Sequence, residues 1–188
     1  MVRTAAGRLA GQVESEIKLR IPGPEAARAA VASLGARRLR ARHFEDNVLL
    51  DDAAGRLGAG GRLLRLRRTP QGSYLTYKGP RLDSGEVKAR EEIEVPVGEP
   101  DDLQALLAAL GLRPVFRYQK YRETYTWKDV EIVVDETPVG TFLEIEGPVE
   151  AVHAAAAALG YRRADYVTDS YADLFFAAGG VGDMTFFK

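Results

Sequence analysis

The chain has 188 residues, 46% hydrophobic and 28% charged, with 26 Lys and Arg against 27 Asp and Glu. This is ordinary globular usage with length enough for a sizeable core, and it argues against wholesale disorder; a formal net charge of -1 argues against a dedicated double-stranded nucleic-acid binder. No cysteine and only two histidines, His43 and His153, exclude disulfides, thiol nucleophiles and a thiolate or His-rich zinc site, so any metal should be a hard cation held by carboxylates.

The opening MVRTAAGRLAGQ has no apolar run suited to a signal segment, and nowhere does the chain approach the ~20 apolar residues of a membrane span. A soluble, cytoplasmic protein is expected. The first strand is predicted at VESEIKLRI, where Glu14, Glu16, Lys18 and Arg20 alternate with Val13, Ser15, Ile17, Leu19 and Ile21. At a strand's two-residue period one face is apolar and the other ionic. A helix starts near Pro24 and stops at Gly35. In ARRLRARH, Arg38, Arg40 and Arg42 share one face and Arg37 takes the other, which reads as a solvated edge strand. HFEDNVLLDD reads as a strand or strand pair, with His43 structural or at the surface. The Gly-rich AAGRLGAGG at 53–61 lacks the Gly-Lys-Ser/Thr ending of a phosphate loop and is read as a flexible hairpin loop.

GRLLRLRRT and SYLTYKG flank Pro70-Gln71-Gly72, a hairpin signal, and EVKAREEIEV follows as a further strand. The second helix carries Leu103, Leu106, Leu107 and Leu110 as an apolar stripe, with Asp101 or Asp102 as its cap and Gly111 at its end. FRYQKYRETYTWK and VEIVVDE are strands, and GTFLEIEG follows the turn Thr137-Pro138-Val139-Gly140. Tyr118, Tyr121, Tyr125 and Trp127 read as packing aromatics rather than a base-stacking surface. A third helix, with His153 at its surface, ends at Gly160, and a last one is predicted in DSYADLFFAAGG with Ser170 as its cap. The unit of Glu-Ile strand, Pro/Gly punctuation and short helix begins at Ser15, Glu91 and Leu143, at unequal intervals that exclude a solenoid.

The two-residue period also sorts the other strands. Arg65 with Arg67, Thr76 with Lys78, Lys88 with Arg90, Glu92 and Glu94, Lys120 with Arg122, and Glu144 with Glu146 each share a face, and Asp135 lies opposite in parity to Ile132 and Val134. The helices can cover only the apolar face. The ionic face then meets water in an open sheet, or lines the interior of a closed barrel of about eight strands. Like charges two apart on one face lie only ~7 Å apart and repel, so their repetition has no stability rationale. A ligand supplies one: Arg and Lys suit phosphate oxygens, and carboxylates suit Mg²⁺ or Mn²⁺ bridging to phosphate.

Glu14-x-Glu16-x-Lys18 resembles the ExExK signature of the CYTH superfamily, the triphosphate tunnel metalloenzymes. The likeness continues in the family's order through RLLRLRR, LTYKGP, AREEIEV, YQKYRETY, VVDETPVGTFLEIEG and TDSYADLF, to about residue 176. It implies an α+β fold, a closed eight-stranded antiparallel β-barrel whose interior is a triphosphate tunnel, with helices packed outside. That domain would span 13–178, after a flexible N-terminus at 1–12 and before a C-terminal tail at 179–188. The resemblance further implies attack on a triphosphate with Mg²⁺ or Mn²⁺ as cofactor. Carried over by position, Lys18, Arg65, Arg67, Lys78, Arg90, Lys120 and Arg122 would bind the triphosphate. Glu14, Glu16, Asp135, Glu144 and Glu146 would supply or orient the metal ligands, with Glu92 and Glu94 as supporting acids. The catalytic set implied is Lys18, Lys78, Lys120, Glu14 and Glu16.

Both the hydrolase and the class IV adenylate cyclase branches use these motifs. Hydrolysis of inorganic tripolyphosphate, thiamine triphosphate or a nucleoside triphosphate is the expectation, with cyclisation of ATP as the alternative. A non-catalytic polyphosphate- or nucleotide-binding barrel is the rival outside the enzymes, and the repeated carboxylate pairs argue against it. The expected partners are a triphosphate-containing small molecule and, at most, a second copy of the chain in a homodimer; neither a specific nucleic acid nor a membrane is expected.

Overall fold

A computed structural model describes residues 12–82 and 87–186, with side chains from Ser15 onward. Nine strands are found among the described residues, all in one antiparallel sheet: β1 (Gln12–Ile21), β2 (Arg37–Asp51), β3 (Leu63–Thr69), β4 (Gly72–Lys78), β5 (Lys88–Val97), β6 (Arg113–Trp127), β7 (Val130–Thr137), β8 (Gly140–Glu146) and β9 (Tyr166–Val167). The order β5-β4-β3-β2-β6-β7-β8-β1 closes on itself because β1 also pairs with β5, Glu16 facing Lys88 and Glu14 facing Arg90 along the backbone. Eight strands therefore form a closed barrel, as the charge pattern and the resemblance led us to expect. The two residues of β9 are added beside Lys18 and Leu19 of β1.

Among the described residues five α-helices accompany the barrel: α1 (Pro24–Ser33), α2 (Arg56–Ala59), α3 (Pro100–Ala109), α4 (Val149–Ala158) and α5 (Tyr171–Ala177). The apolar strand faces turn outward and are covered by them. Ile17, Leu19, Ile132, Leu143 and Ile145 pack beneath Ala27 and Val31 of α1 and Val152, Ala155 and Ala156 of α4, all fully buried. Each such aliphatic side chain contributes roughly 1.5–3 kcal/mol relative to exposure. α3 lays Leu103 and Leu107 on Val48, Leu50 and Leu66, while Leu106 and Leu110 face solvent, so only half of the leucine stripe is used. The helix is entered through Glu99 and Pro100 with no side-chain cap; Asp101 and Asp102 sit in its first turn, where the helix dipole favours acids. No helix among the described residues is long and apolar enough to cross a membrane.

Three expectations change. ARRLRARH opens β2 and pairs there with β6 alone, β3 joining β2 only from Asp46, so this stretch is a solvated edge as expected; what differs is its parity, because the pairing with β6 slips at Arg38/Arg40 and Arg40/His43. Those bulges break the parity, turning Arg40 toward the interior while Arg38 and Arg42 bond outside to Glu123 and Glu136. The Gly-rich loop is an ordered turn around α2, because Asp51 accepts from the amides of Leu57 and Gly58. The tail has a defined place: Met184 is fully buried and pairs with β6 through Gln119 N to Met184 O and Met184 N to Arg117 O, both 2.9 Å. Residues 1–11, the greater part of the predicted flexible N-terminus, lie outside the described residues.

Candidate active site in the barrel interior

The inward positions of the strands line one cavity. β1 contributes Glu16 and Lys18, β3 Arg65 and Arg67, β4 Lys78, β5 Lys88, Arg90, Glu92 and Glu94, β6 Lys120 and Arg122, and β8 Glu144 and Glu146. The two-residue period thus places twelve of the predicted site residues on one wall. Glu14 is in β1, but its side chain lies outside the described residues. Asp135 is fully buried behind the wall rather than on it.

These side chains form an alternating chain of charge around the interior. Glu94 meets Arg67 at 2.9 Å, Arg67 meets Glu45 at 3.6 Å, and Glu45 meets Lys120 at 3.7 Å. Lys120 bonds Asp135 at 2.8 Å, and Arg122 grips Asp135 through Nε at 2.7 Å and Nη2 at 2.5 Å, while also bonding Glu144. Glu144 meets Lys18 at 3.4 Å, Lys18 meets Glu16 at 3.5 Å, and Glu16 meets Lys88 at 2.9 Å. Beside this chain Lys78 bonds Glu92 at 2.5 Å, and Arg65 reaches Thr76 at 3.2 Å and Tyr118 at 3.4 Å.

Burial in this wall penalises every charged form, so each charge persists only through its neighbours. Burial pushes the Glu16 carboxyl up, but Lys18, Lys78 and Lys88 outweigh it and hold it well below the ordinary carboxylate range. Glu144 is treated alike by Lys18, Arg122 and Lys120, and Glu45 by Lys120, Arg122 and His43. For the bases, Lys18, Arg65, Lys78 and Arg122 overcome the same burial through nearby acids and are raised. Lys88 goes the other way: burial dominates, and Lys18 and Lys78 add repulsion that Glu16 does not offset.

Sequence reasoning missed several members of this wall. Glu45 is the central acid between Arg67 and Lys120, but the bulges in β2 hid its parity. Glu131 shares the parity of Asp135, four residues away along β7, and that spacing is a signal the sequence carries. Lys88 shares the ionic face of β5 in sequence, and the structure gives it a partner, Glu16 at 2.9 Å. Ser170, the cap of α5, with Tyr171 and Ala172 of the helix reach the cavity, so the last helix closes on the tunnel, a reading that the sequence offered beside the plain cap; Tyr118 lines the cavity from β6. Arg20 lies outside it: its guanidinium donates to Val139 O at 3.1 Å and stacks 4.7 Å from the Phe142 ring, closing the β7–β8 turn.

His43 gives the site a pH-dependent neighbour. Its Nδ1 is 2.9 Å from Ala41 O and its Nε2 3.5 Å from Glu45, so both ring nitrogens face acceptors. Chiefly through Glu45, and against burial, its pKa is raised above 6.5. A raised folded-state pKa means that the added stability is fully present below 6.5 and is lost as pH rises through the folded value. Urea unfolding between about pH 6 and about pH 9 should show that loss. The His43→Gln protein should lack this step, all other titrations being shared.

The donors also fit a hard divalent cation. Glu16 faces Glu146 across β1 and β8, and Glu146 faces Glu131 across β8 and β7, so three carboxylates stand side by side on the cavity wall. Directly opposed like charges are destabilising on their own, and oxygen donors of this kind suit Mg²⁺ or Mn²⁺. Among the described residues no group of three or more His, Asp or Glu converges closely enough to hold an ion unaided, so a cation here would take the rest of its shell from water or phosphate oxygens. Asp135 does not fit this role: Lys120, Arg122 and Tyr171 occupy both of its oxygens.

Comparison with known proteins agrees with this geometry. The profile of the CYTH domain family matches residues 12–171. A Methanocaldococcus jannaschii protein provisionally named an adenylate cyclase is 28% identical over 142 residues, covering 75% of this chain and 80% of its own. A Vibrio parahaemolyticus structure with a similar provisional name superposes with a TM-score of 0.78 at 21% identity, covering 88% of this chain and 99% of that one. A Hippeastrum protein, described as an adenylyl cyclase candidate with a dominant triphosphatase activity, superposes with a TM-score of 0.67 at 22% identity, covering 89% and 97%. The last two likenesses speak for the fold.

Proposed function

The chain belongs to the CYTH domain family, and from that premise we propose that it hydrolyses a triphosphate held in the barrel, with Mg²⁺ or Mn²⁺ as cofactor. The observation that carries this reading is the alternating wall: nine cationic and seven acidic side chains among the described residues face one cavity. A bare polyanion entering it meets seven carboxylates as well as nine cations. With a divalent cation to engage the carboxylates, cation and polyanion together complement the wall.

Lys18, Arg65, Arg67, Lys78, Lys120 and Arg122 bind the phosphate oxygens in this reading, and Arg90 stands beside them. Arg65 and Arg67 each have a buried Nε without a partner, a donor that a phosphate oxygen would satisfy. Glu16, Glu144 and Glu146, with Glu14, hold the cation, while Glu92 and Glu94 orient Lys78, Arg65 and Arg67. Asp135 becomes an organiser of Lys120 and Arg122 rather than a ligand. A bound divalent cation would supply neutralisation of the charge that grows on the phosphoryl oxygens. The wall's contribution is preorganisation: its cations are already fixed by acids, so little rearrangement is required as charge develops.

The second reading, cyclisation of ATP, draws on the archaeal relative's name and on Leu49, Leu63, Tyr74 and Tyr118, an apolar portion of the lining. Hydrolysis ranks first because sixteen of the twenty-four lining residues are charged, which suits phosphates more than a base. Incubation with tripolyphosphate, thiamine triphosphate or ATP, with Mg²⁺, Mn²⁺ or EDTA, followed by product identification, tests this. Metal-dependent orthophosphate supports hydrolysis. Cyclic AMP with pyrophosphate replaces it with cyclisation, and binding without turnover reduces the barrel to a receptor.

A further inference from the structure

Tyr171 opens α5 and is the side chain through which that helix enters the barrel. Its ring is buried, edge-on to Phe142 at 5.4 Å between centroids. Its hydroxyl donates to Asp135 Oδ2 at 2.8 Å, the same oxygen that receives Lys120 Nζ and Arg122 Nη2. Its ring centroid lies 5.3 Å from Lys18 Nζ and equally 5.3 Å from Lys120 Nζ. One side chain thus touches the organiser carboxylate and two ammonium groups from β1 and β6, strands with β7 and β8 between them.

The helix holds this residue firmly. Ser170 caps α5 through a reciprocal pair, its Oγ accepting from Asp173 N at 3.1 Å while Asp173 Oδ2 accepts from Ser170 N at 3.0 Å. Beyond the helix, Met184 and Phe186 tie the chain back to β6 at Gln119. Burial and the neighbouring carboxylates push the phenol's pKa well up, so the hydroxyl stays protonated and acts as a donor.

We infer that Tyr171 is a positioning residue for the triphosphate, its ring setting Lys18 and Lys120 and its hydroxyl restraining Asp135, which makes the C-terminal helix a working part of the site. This rests on the triphosphate reading above. The hydroxyl shares Asp135 Oδ2 with Lys120 and Arg122, so it takes up part of that oxygen's charge and loosens its hold on the ammonium already bonded there at 2.8 Å. Without it, Asp135 binds Lys120 more tightly and the ammonium is less free to follow the phosphoryl group. Lys18, Arg65, Arg67 and Arg122 still hold the ground state, so turnover falls more than affinity. Without the ring, both ammonium groups lose the aromatic face that orients them, and affinity falls as well.

The test compares wild type, Tyr171→Phe and Tyr171→Leu by tripolyphosphate calorimetry in EDTA and by metal-dependent turnover, with thermal melts as control. Tyr171→Phe should keep Kd and KM within about twofold while kcat drops roughly tenfold; Tyr171→Leu should also weaken binding by roughly tenfold. A purely structural role would lower Tm without this split between the two variants. Wild-type kcat in a folded Tyr171→Phe protein overturns the inference, as does wild-type affinity in Tyr171→Leu. If Tyr171→Leu does not fold, the kcat of Tyr171→Phe alone decides. Failure of the wild type itself to bind tripolyphosphate overturns the reading beneath, and the inference with it.

Discussion

Lys120→Met should lose turnover at least a hundredfold and unfold with about 3 kcal/mol less free energy than wild type. Lys120 is 2% exposed and Asp135 fully buried, so removing the ammonium leaves a carboxylate in low dielectric with part of its compensation gone. Glu45 loses a neighbour at the same time. The cost stays at the low end for a broken buried pair because Arg122 and Tyr171 still bond Asp135, and Arg67 and His43 still face Glu45. For a chain of this size about 3 kcal/mol lowers Tm by roughly 10 °C. Adding Asp135→Asn should recover part of the stability and none of the activity. Urea unfolding and turnover on the two proteins separate the structural contribution of Lys120 from its functional one.

Glu16→Gln should separate the two halves of the site. We expect metal-dependent turnover to fall at least a hundredfold, because the hard oxygen donor is gone. Tripolyphosphate binding in EDTA should be retained or tightened, since Lys18 and Lys88 no longer share their charge with a carboxylate 3.5 and 2.9 Å away. Arg65→Ala should do the reverse, weakening binding in EDTA by about tenfold or more. Glu16→Gln also loses some stability, about 1–3 kcal/mol, because partly buried Lys88 is left without its acid partner. Equal loss of anion binding in Glu16→Gln and Arg65→Ala would mean that the acids do not serve a cation.

The wall was legible wherever a strand keeps an unbroken two-residue period. β1, β3, β5, β6 and β8 do so, and Glu16, Lys18, Arg65, Arg67, Lys120, Arg122, Glu144 and Glu146 could be placed on one face without coordinates. β2 could not be read that way. Its bulges add residues to one strand of a pair, so Arg38 and Arg42 point outward and the parity of Glu45 is lost. Asp135 had the correct parity, but whether a carboxylate faces a cavity or is enclosed by three donors is decided by neighbours on other elements. Tyr171 illustrates the same limit: SYADLF encodes a capped helix, while its docking against Phe142 and Asp135 depends on contacts distant in sequence. Arg20, continuous with the first motif, leaves the cavity because the β7–β8 turn offers it a carbonyl and an aromatic face.

The central claim is that the barrel interior binds a triphosphate and a divalent cation together. Crystals grown with tripolyphosphate and Mn²⁺, with diffraction recorded at the manganese absorption edge, test it most directly. We predict triphosphate density inside the barrel against Arg65, Arg67, Lys120, Arg122 and Lys18, and an anomalous peak beside Glu16, Glu144 or Glu146. Triphosphate on the outer surface, or manganese bound away from those glutamates, would contradict it.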